Sequence, residues 1–199
     1  MSDLLCVTNR TLCREDFLHR IEAIAACSPA GILLREKDLP EPAYRALAVQ
    51  VLEICRRYDT RCILHSFVGV ARELGASAIH LPLPLLRRMR AADRGSFREI
   101  GASCHSPEEA REAQRLGCTY ITAGHIFPTD CKQGVPPRGL VFLRRVCESV
   151  SIPVYAIGGI DSGNIAAVRE SGASGACVMS GAMTCPDVRT YLSAFEKEG

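Results

Sequence analysis

Residues Tyr120–Ala123 form the short apolar run YITA, and residues Gly124–Lys132 follow it with the sequence GHIFPTDCK. The apolar run predicts a buried strand. The stretch behind it offers an imidazole, a hydroxyl and an ammonium group in quick succession. Polar side chains that leave the end of a buried strand are where α/β enzymes place their chemistry. The fold is decided by whether this strand-and-loop unit recurs along the chain.

The unit recurs from one end of the chain to the other. Short apolar runs predict strands at Leu4–Thr8, Gly31–Leu34, Cys62–Leu64, Ala78–Leu81, Glu99–Ser103, Tyr120–Ala123, Pro153–Ile157 and Gly175–Val178. Apolar residues at helical spacing predict helices at about 14–27, 41–58, 68–74, from 84, 106–117, 140–149, 161–171 and 186–195. Eight buried strands, each followed by a helix, predict a parallel β/α barrel.

The predicted fold is therefore a compact TIM (β/α)8 barrel in a single domain over residues 1–199. Roughly 25 residues per unit make it short for a fold that typically takes about 250. The competing interpretation is an open, doubly wound sheet, whose first turn typically carries a glycine-rich dinucleotide fingerprint. The first turn here reads Asn9-Arg10-Thr11, which favours the barrel.

The composition is that of an ordinary globular protein. The apolar fraction is 47%, the charged fraction 23% and the net charge +2, which gives no reason to expect a nucleic-acid or membrane partner. Eleven cysteines without a C-x-x-C pair argue against the usual zinc and disulfide frameworks. The first residues of the chain lack the basic region and apolar core that are typical of a signal peptide, and no apolar run approaches membrane length. We therefore expect reduced thiols in a cytoplasmic protein.

Two glycine-bearing loops predict a phosphate site, because phosphate commonly binds such barrels after the seventh and eighth strands. Gly158 and Gly159 follow the seventh predicted strand, and Ser180 and Gly181 follow the eighth. Backbone N–H groups in such loops can approach an anion closely. The alternative is that these glycines serve only as tight turns.

Other strand ends carry polar or cationic side chains that we expect to bind the substrate. They are Arg35 and Lys37 after the second strand, Ser103 at the fifth, and Thr129 and Lys132 after the sixth. The cations predict an anionic substrate. The alternative is that the second strand simply ends in solvent, with its cations paired to Glu36 or Asp38.

His125 is the candidate acid/base group, because imidazole titrates near neutral pH. A structural role, or substrate contact without proton transfer, stays open for it. His80 lies within an apolar run and is predicted to be a hydrogen-bonded core residue. Cys104 and His105 are neighbours, but adjacent loop residues rarely point together, so a cysteine–histidine nucleophile pair is disfavoured.

Two strand ends lack the carboxylates that a magnesium–pyrophosphate site needs. Between Asp59 and Asp93 the only acidic residue is Glu73, which lies in a predicted helix. The stretches His65–Phe67 and Leu81–Pro84, at the ends of the third and fourth strands, therefore offer no such ligand. We predict no metal site.

Four stretches together resemble the thiamine phosphate synthase/TenI superfamily of barrels, in collinear order over nearly the whole chain. They are Leu34–Lys37, Ile100–His105, Gly124–Lys132 and Pro153–Ile160. By this resemblance, a synthase would carry an Asn-Asp pair after the third strand and an aspartate after the fourth, used with Mg²⁺ to hold a pyrimidine pyrophosphate. His125 stands where synthases commonly have proline, and a histidine there is characteristic of TenI-type thiazole tautomerases.

The resemblance therefore implies a thiazole tautomerase of thiamin biosynthesis, an isomerase that uses no cofactor. Its substrate would be the carboxythiazole phosphate made by thiazole synthase, and His125 would shuttle the proton that makes the ring aromatic. One alternative is thiamine phosphate synthase, which couples pyrimidine pyrophosphate to thiazole phosphate with Mg²⁺. Another is a non-catalytic, regulatory phosphate-binding barrel. The family also implies a possible homodimer.

Overall fold

The structure, a computed structural model, describes residues 3–129 and 134–196. In this part of the chain, eight parallel strands follow one another in sequence order around a closed barrel. They are β1 (Leu4–Val7), β2 (Gly31–Leu34), β3 (Cys62–His65), β4 (Ala78–Pro82), β5 (Glu99–Cys104), β6 (Tyr120–Gly124), β7 (Val154–Ile157) and β8 (Gly175–Val178). The predicted (β/α)8 barrel is confirmed, and each predicted strand lies within one residue of its observed bounds.

The helices of the described residues alternate with these strands. They are α1 (Phe17–Ala25), α2 (Glu41–Arg57), α3 (Val68–Glu73), α4 (Leu83–Arg88), α5 (Ala91–Arg94), α6 (Pro107–Arg115), α7 (Gly139–Ser149), α8 (Ile165–Glu170), α9 (Ser180–Thr184) and α10 (Val188–Ser193). The sequence did not predict α5 or α9, which are too short to show a helical period. Helix α1 begins later than predicted because the Asp16 carboxylate caps it, accepting a hydrogen bond from the N–H of His19 at 2.9 Å.

The structure divides into two compact units, and the first spans Met1–Ala76 with Val178–Gly199. In this unit β1, β2 and β3 pair in parallel, with Leu5 opposite Gly31 and Ile32 opposite Cys62. All four residues of each strand are buried, as expected for parallel strands covered on both faces. Its fully buried side chains include Leu4, Leu5, Ile21, Ile24, Ile32, Leu34, Tyr44, Ile63 and Leu64.

The second unit spans Ser77–Cys177 and carries β4 to β7 with most of β8. Its strands pair in parallel so that His80, Gly101 and Tyr120 lie side by side, as do Pro82, Ser103 and Thr122 two residues further along. Its buried core includes Ile79, Leu81, Leu86, Ala102, Ile121, Leu143, Val146, Ala156 and Val168. A single domain over residues 1–199 stays a prediction.

Two predictions from composition concern the whole chain. In residues 3–129 and 134–196, no helix is long and apolar enough to cross a membrane. The ten cysteines within the same two ranges are not joined in disulfides. Cys131 lies outside the described residues.

Candidate active site

In the first unit, the end of β2 is organised around a buried carboxylate. Glu36 is only 2% exposed and accepts hydrogen bonds from the Thr8 hydroxyl at 2.6 Å and from the backbone N–H of Arg10 at 3.0 and 3.1 Å. The Thr8 oxygen also accepts from the N–H of Arg35 at 3.0 Å. These bonds fix the backbone that carries half-buried Arg35 and exposed Lys37. The sequence did not single out this role of Glu36.

Asp38 makes a different contact. Its carboxylate lies 2.7 Å from the Arg10 guanidinium, and that hydrogen bond lowers the pKa of Asp38. Arg10 therefore binds Asp38 through its side chain, and it binds Glu36 through its backbone N–H and, at 3.6 Å, through the same guanidinium. The pairing of these carboxylates with Thr8 and Arg10 was not predicted, since Arg10 lies 28 positions from Asp38.

Tyr44 of α2 ties the ends of β2 and β3 together within the first unit. Its hydroxyl donates to the carbonyl of Leu34 and accepts from the N–H of His65, both at 2.8 Å. Burial raises the pKa of Tyr44 well above its usual value, so the phenol stays neutral and remains a donor. The His65 ring is buried, with Nδ1 2.8 Å from the Ser66 hydroxyl.

The ends of β3 and β4 do not fit a magnesium ion held by carboxylates. His65 and Ser66 stand at the first, and Pro82 with buried Leu83 at the second. Among the residues that the structure describes, no group of three or more His, Cys, Asp or Glu side chains could hold a metal ion. The donor set implied by the resemblance for a magnesium–pyrophosphate complex is therefore not found at these strand ends.

In the second unit, Ser103 of β5 is half-buried and lies 2.9 Å from Nε2 of His80. Nδ1 of the same ring lies 3.0 Å from the Tyr120 hydroxyl. His80 is thus a buried, hydrogen-bonded residue as predicted. Its link to the candidate substrate-binding residue Ser103 was not predicted, because nothing local in the sequence pairs the two positions.

His125 opens the loop after β6 and is 8% exposed. Its Nε2 lies 3.2 Å from the carbonyl of Val135, and since a carbonyl only accepts, that nitrogen carries the proton and donates it. The carbonyl of His125 in turn accepts from the N–H of Arg138 at 3.0 Å. The imidazole therefore helps to hold its own loop, which is the structural role left open by the sequence. Its acid/base role stays a prediction.

The glycines after β7 lie against this loop. Gly158 and Gly159 have positive φ angles of 102° and 65°. A Cβ on Gly158 would lie 2.5 Å from Cβ and 2.8 Å from Cα of His125, and a Cβ on Gly159 would lie 2.8 Å from Cβ of Phe127. Packing thus requires glycine here whether or not the loop binds phosphate, so phosphate binding stays a prediction.

The remaining candidates are placed as follows. In the first unit, exposed Ser180 begins α9, and a Cβ on Gly181 would overlap the hydroxyl of Tyr191. In the second, Thr129 is half-buried. Lys132 lies outside the described residues. Binding of phosphate or substrate by these four residues stays a prediction.

The Cys104–His105 neighbours do not form a nucleophile pair. Cys104 is 0% exposed, and burial raises the pKa of its thiol to about 12. The exposed His105 ring instead places Nδ1 3.1 Å from the carbonyl of Gly124, to which it donates. The two side chains therefore serve different purposes, as the sequence predicted.

We expect Cys104 to resist alkylation in the native chain. With a pKa of about 12, only about one thiol in 10⁴ is the reactive thiolate at pH 8. Mass spectrometry after brief iodoacetamide treatment should find Cys104 unmodified and half-exposed Cys27 modified, whereas unfolded chain should be labelled at both. Equal labelling rates at the two cysteines in the native chain would contradict the burial of Cys104.

Comparison with known proteins identifies the family. The sequence model of the family described as thiamine monophosphate synthase matches residues 4–182. The chain belongs to this TMP-TENI family. The TMP-TENI match covers all eight strands, so it agrees with the resemblance drawn from the motifs.

Individual members of the TMP-TENI family are similar over nearly the whole chain. Thiamine-phosphate synthase 2 of Streptococcus pneumoniae is 32% identical over 201 residues, which cover 98% of this chain and 94% of that protein. The thiamine-phosphate synthase of Caldivirga maquilingensis is 37% identical over 182 residues, covering 90% and 89%. The structure of thiamine phosphate pyrophosphorylase from Pyrococcus furiosus superimposes with a TM-score of 0.82 at 30% identity, covering 97% and 93%.

These relatives correct the predicted reaction. All three are named for the synthase or pyrophosphorylase activity, so the prediction of a thiazole tautomerase, an isomerase, is wrong, and the class they favour is a transferase. The error came from giving local differences, His125 and the missing carboxylates after β3 and β4, more weight than the similarity along the rest of the chain. The structure offers a reason for a histidine there that is independent of proton transfer, since its ring donates to the carbonyl of Val135.

Proposed function

We propose that this TMP-TENI family member is a thiamine-phosphate synthase. It would couple a pyrimidine pyrophosphate to a thiazole phosphate and release pyrophosphate. The observation that carries the proposal is the identity of 32% to 37% with thiamine-phosphate synthases that align along at least 90% of the chain. The superposition on the Pyrococcus furiosus pyrophosphorylase supports it.

The described side chains suit anionic, phosphorylated substrates. In the first unit, Arg35 and Lys37 flank Glu36, which is held by hydrogen bonds, and they provide positive charge. In the second unit, the half-buried Ser103 hydroxyl can donate to a substrate oxygen. The described ends of β3 and β4 contribute no carboxylate, so the residues that bind the phosphates in this proposal are cations, hydroxyls and backbone N–H groups.

The proposal also covers the partners, the location and the oligomeric state of the enzyme. Its partners would be the pyrimidine pyrophosphate and the thiazole phosphate, and the described cysteines, which form no disulfide, support a cytoplasmic location. The homodimer belongs to the same proposal and is supported by the family resemblance.

A coupling assay tests the proposed reaction. Purified chain is incubated with pyrimidine pyrophosphate, thiazole phosphate and excess Mg²⁺, and thiamine phosphate and pyrophosphate are quantified by chromatography with mass detection. We expect the two products in equal amounts, with turnover that a heat-unfolded sample does not give. No coupling above that background would overturn the proposal, and so would faster aromatisation of carboxythiazole phosphate without any coupling.

A further inference from the structure

His80, Tyr120 and Ser103 form a hydrogen-bonded chain inside the second unit. Nδ1 of His80 lies 3.0 Å from the Tyr120 hydroxyl, and Nε2 lies 2.9 Å from the Ser103 hydroxyl. His80 and Tyr120 are 1% and 3% exposed, whereas Ser103 is half-buried. The hydrogen-bonded chain therefore runs from the buried interior of the unit to a partly exposed serine.

Gly101 makes this arrangement possible. His80 of β4 and Tyr120 of β6 flank Gly101 of β5 at the same level of the sheet. A Cβ on Gly101 would overlap the Tyr120 ring and lie 2.5 Å from Nδ1 of His80. The two rings meet, with centroids 5.5 Å apart, in the space that a larger side chain on β5 would fill.

The chemistry of the three groups sets the direction of the hydrogen bonds. A phenol, with a reference pKa of about 10, is a better donor than an aliphatic alcohol and a poorer acceptor. The favoured arrangement therefore has the Tyr120 O–H donating to Nδ1 of His80. The proton of the neutral ring then lies on Nε2, which donates to the Ser103 oxygen. This leaves the proton of Ser103 to be donated to a further acceptor.

We propose that His80 and Tyr120 are positioning residues that hold the Ser103 hydroxyl as a donor toward an oxygen of a phosphorylated substrate. The proposal rests on the proposed function, since it assumes that Ser103 contacts a substrate of the coupling reaction. Without the Nε2–H contact, the serine hydroxyl would rotate among its staggered positions and could donate inward instead. With the contact, its donor direction is set before the substrate arrives.

A double-mutant cycle tests the positioning role in the coupling reaction. Ser103→Ala and Tyr120→Phe should each lower kcat/KM by about 10-fold, because each removes a productive hydrogen bond. Tyr120→Phe should have no further effect on kcat/KM in the Ser103→Ala background, since it acts only through that hydroxyl. Losses that multiply in the double variant would overturn the proposal, because a merely structural tyrosine would matter equally in both backgrounds.

Tyr58→Phe is the matched control for the loss of a tyrosine hydroxyl. Tyr58 is exposed at the end of α2, and its hydroxyl donates to the Glu22 carboxylate at 3.0 Å. This variant should leave kcat/KM unchanged. A loss as large as that of Tyr120→Phe would mean that the tyrosine effect is not specific to the chain through His80, and would count against the proposal.

The tautomer of His80 gives a readout that needs neither activity nor a variant. Correlation of ring nitrogen and carbon-bound hydrogen resonances in ¹⁵N-histidine-labelled native chain separates a proton on Nε2 from one on Nδ1. We expect the Nε2–H form, and the Nδ1–H form would overturn the proposed direction of donation. Failure of the coupling assay with the Nε2–H form present would reject the proposed function alone, so the two failures are distinguishable.

Discussion

Replacement of Gly158 by alanine is expected to lower the free energy of unfolding by about 4 kcal/mol. The φ angle of 102° is strained for any residue with a Cβ, and the new methyl group would lie 2.8 Å from Cα of His125. His125 cannot retreat easily, because the segments around it are tied by hydrogen bonds of 3.0 Å from Ile126 to Ile157 and from Phe127 to Gly158. Urea denaturation should detect the loss as a lower midpoint at an unchanged slope.

Alanine variants at two other glycines distinguish the two causes of this loss, which are backbone strain and steric contact. Gly117 has a φ angle of 89° but no atom within 4 Å of an added Cβ, so Gly117→Ala should show backbone strain alone, about 1 kcal/mol. Gly69, in helix α3, has neither feature, and Gly69→Ala should be neutral or stabilising by up to about 1 kcal/mol. An effect of Gly158→Ala no larger than that of Gly117→Ala would show that the contact with His125 costs little.

Replacement of Glu36 by alanine should be nearly as damaging, at about 3 kcal/mol of unfolding free energy. The substitution would leave the Thr8 hydroxyl and the N–H of Arg10 without their carboxylate acceptor in a buried setting. It would also free the backbone that carries Arg35 and Lys37, so KM for the phosphorylated substrates should rise along with the loss of stability. Denaturation and steady-state kinetics on the same preparation measure the two effects.

Asp38→Ala is the control for this variant. Asp38 is two positions away and bonded to the same arginine, but its side chain is 54% exposed and solvent screens the pair. We expect no measurable change in the urea midpoint. If Asp38→Ala destabilised the protein as much as Glu36→Ala, the ion pair between Arg10 and Asp38 would contribute as much to the end of β2 as the buried Glu36 carboxylate does. That result would contradict the role given to Glu36.

The sequence predicted the fold more accurately than the reaction. Strand and helix positions follow from local periodicity and from capping residues, which is why β1 to β8 were found within one residue. Short helices such as α5 and α9 escaped because a single turn has no period to detect. The family also followed from the sequence, since the motifs are collinear and the family match covers residues 4–182.

The reaction was mistaken because local differences, the histidine at position 125 and the missing carboxylates after β3 and β4, were taken as decisive. Histidine in place of proline at position 125 is a real departure, yet the chain remains 32% to 37% identical to named synthases along at least 90% of its length. In the structure, the His125 ring donates to a backbone carbonyl of its own loop. One side chain that differs from a family pattern can therefore have a structural cause.

For the candidate site too, the sequence predicted some features and missed others. The sequence correctly identified Ser103 as the polar residue at the end of β5 and His80 as a buried, hydrogen-bonded one. It could not pair them, because they lie 23 positions apart on different strands. Similarly, the acidic residue between two cations at the end of β2 looked like a surface charge until its contacts with Thr8 and Arg10 placed it inside.

By itself, the sequence determined the repeating strand–helix unit, the barrel and the family, because each depends on patterns that are local or collinear. Only the tertiary structure decided that His80 and Tyr120 meet over Gly101, that Glu36 anchors the end of β2, and that Gly158 must lack a side chain. The first two contacts join residues 40 and 28 positions apart. The physical reason is that hydrogen bonds and close packing depend on distance in space, which strand register sets and linear spacing does not.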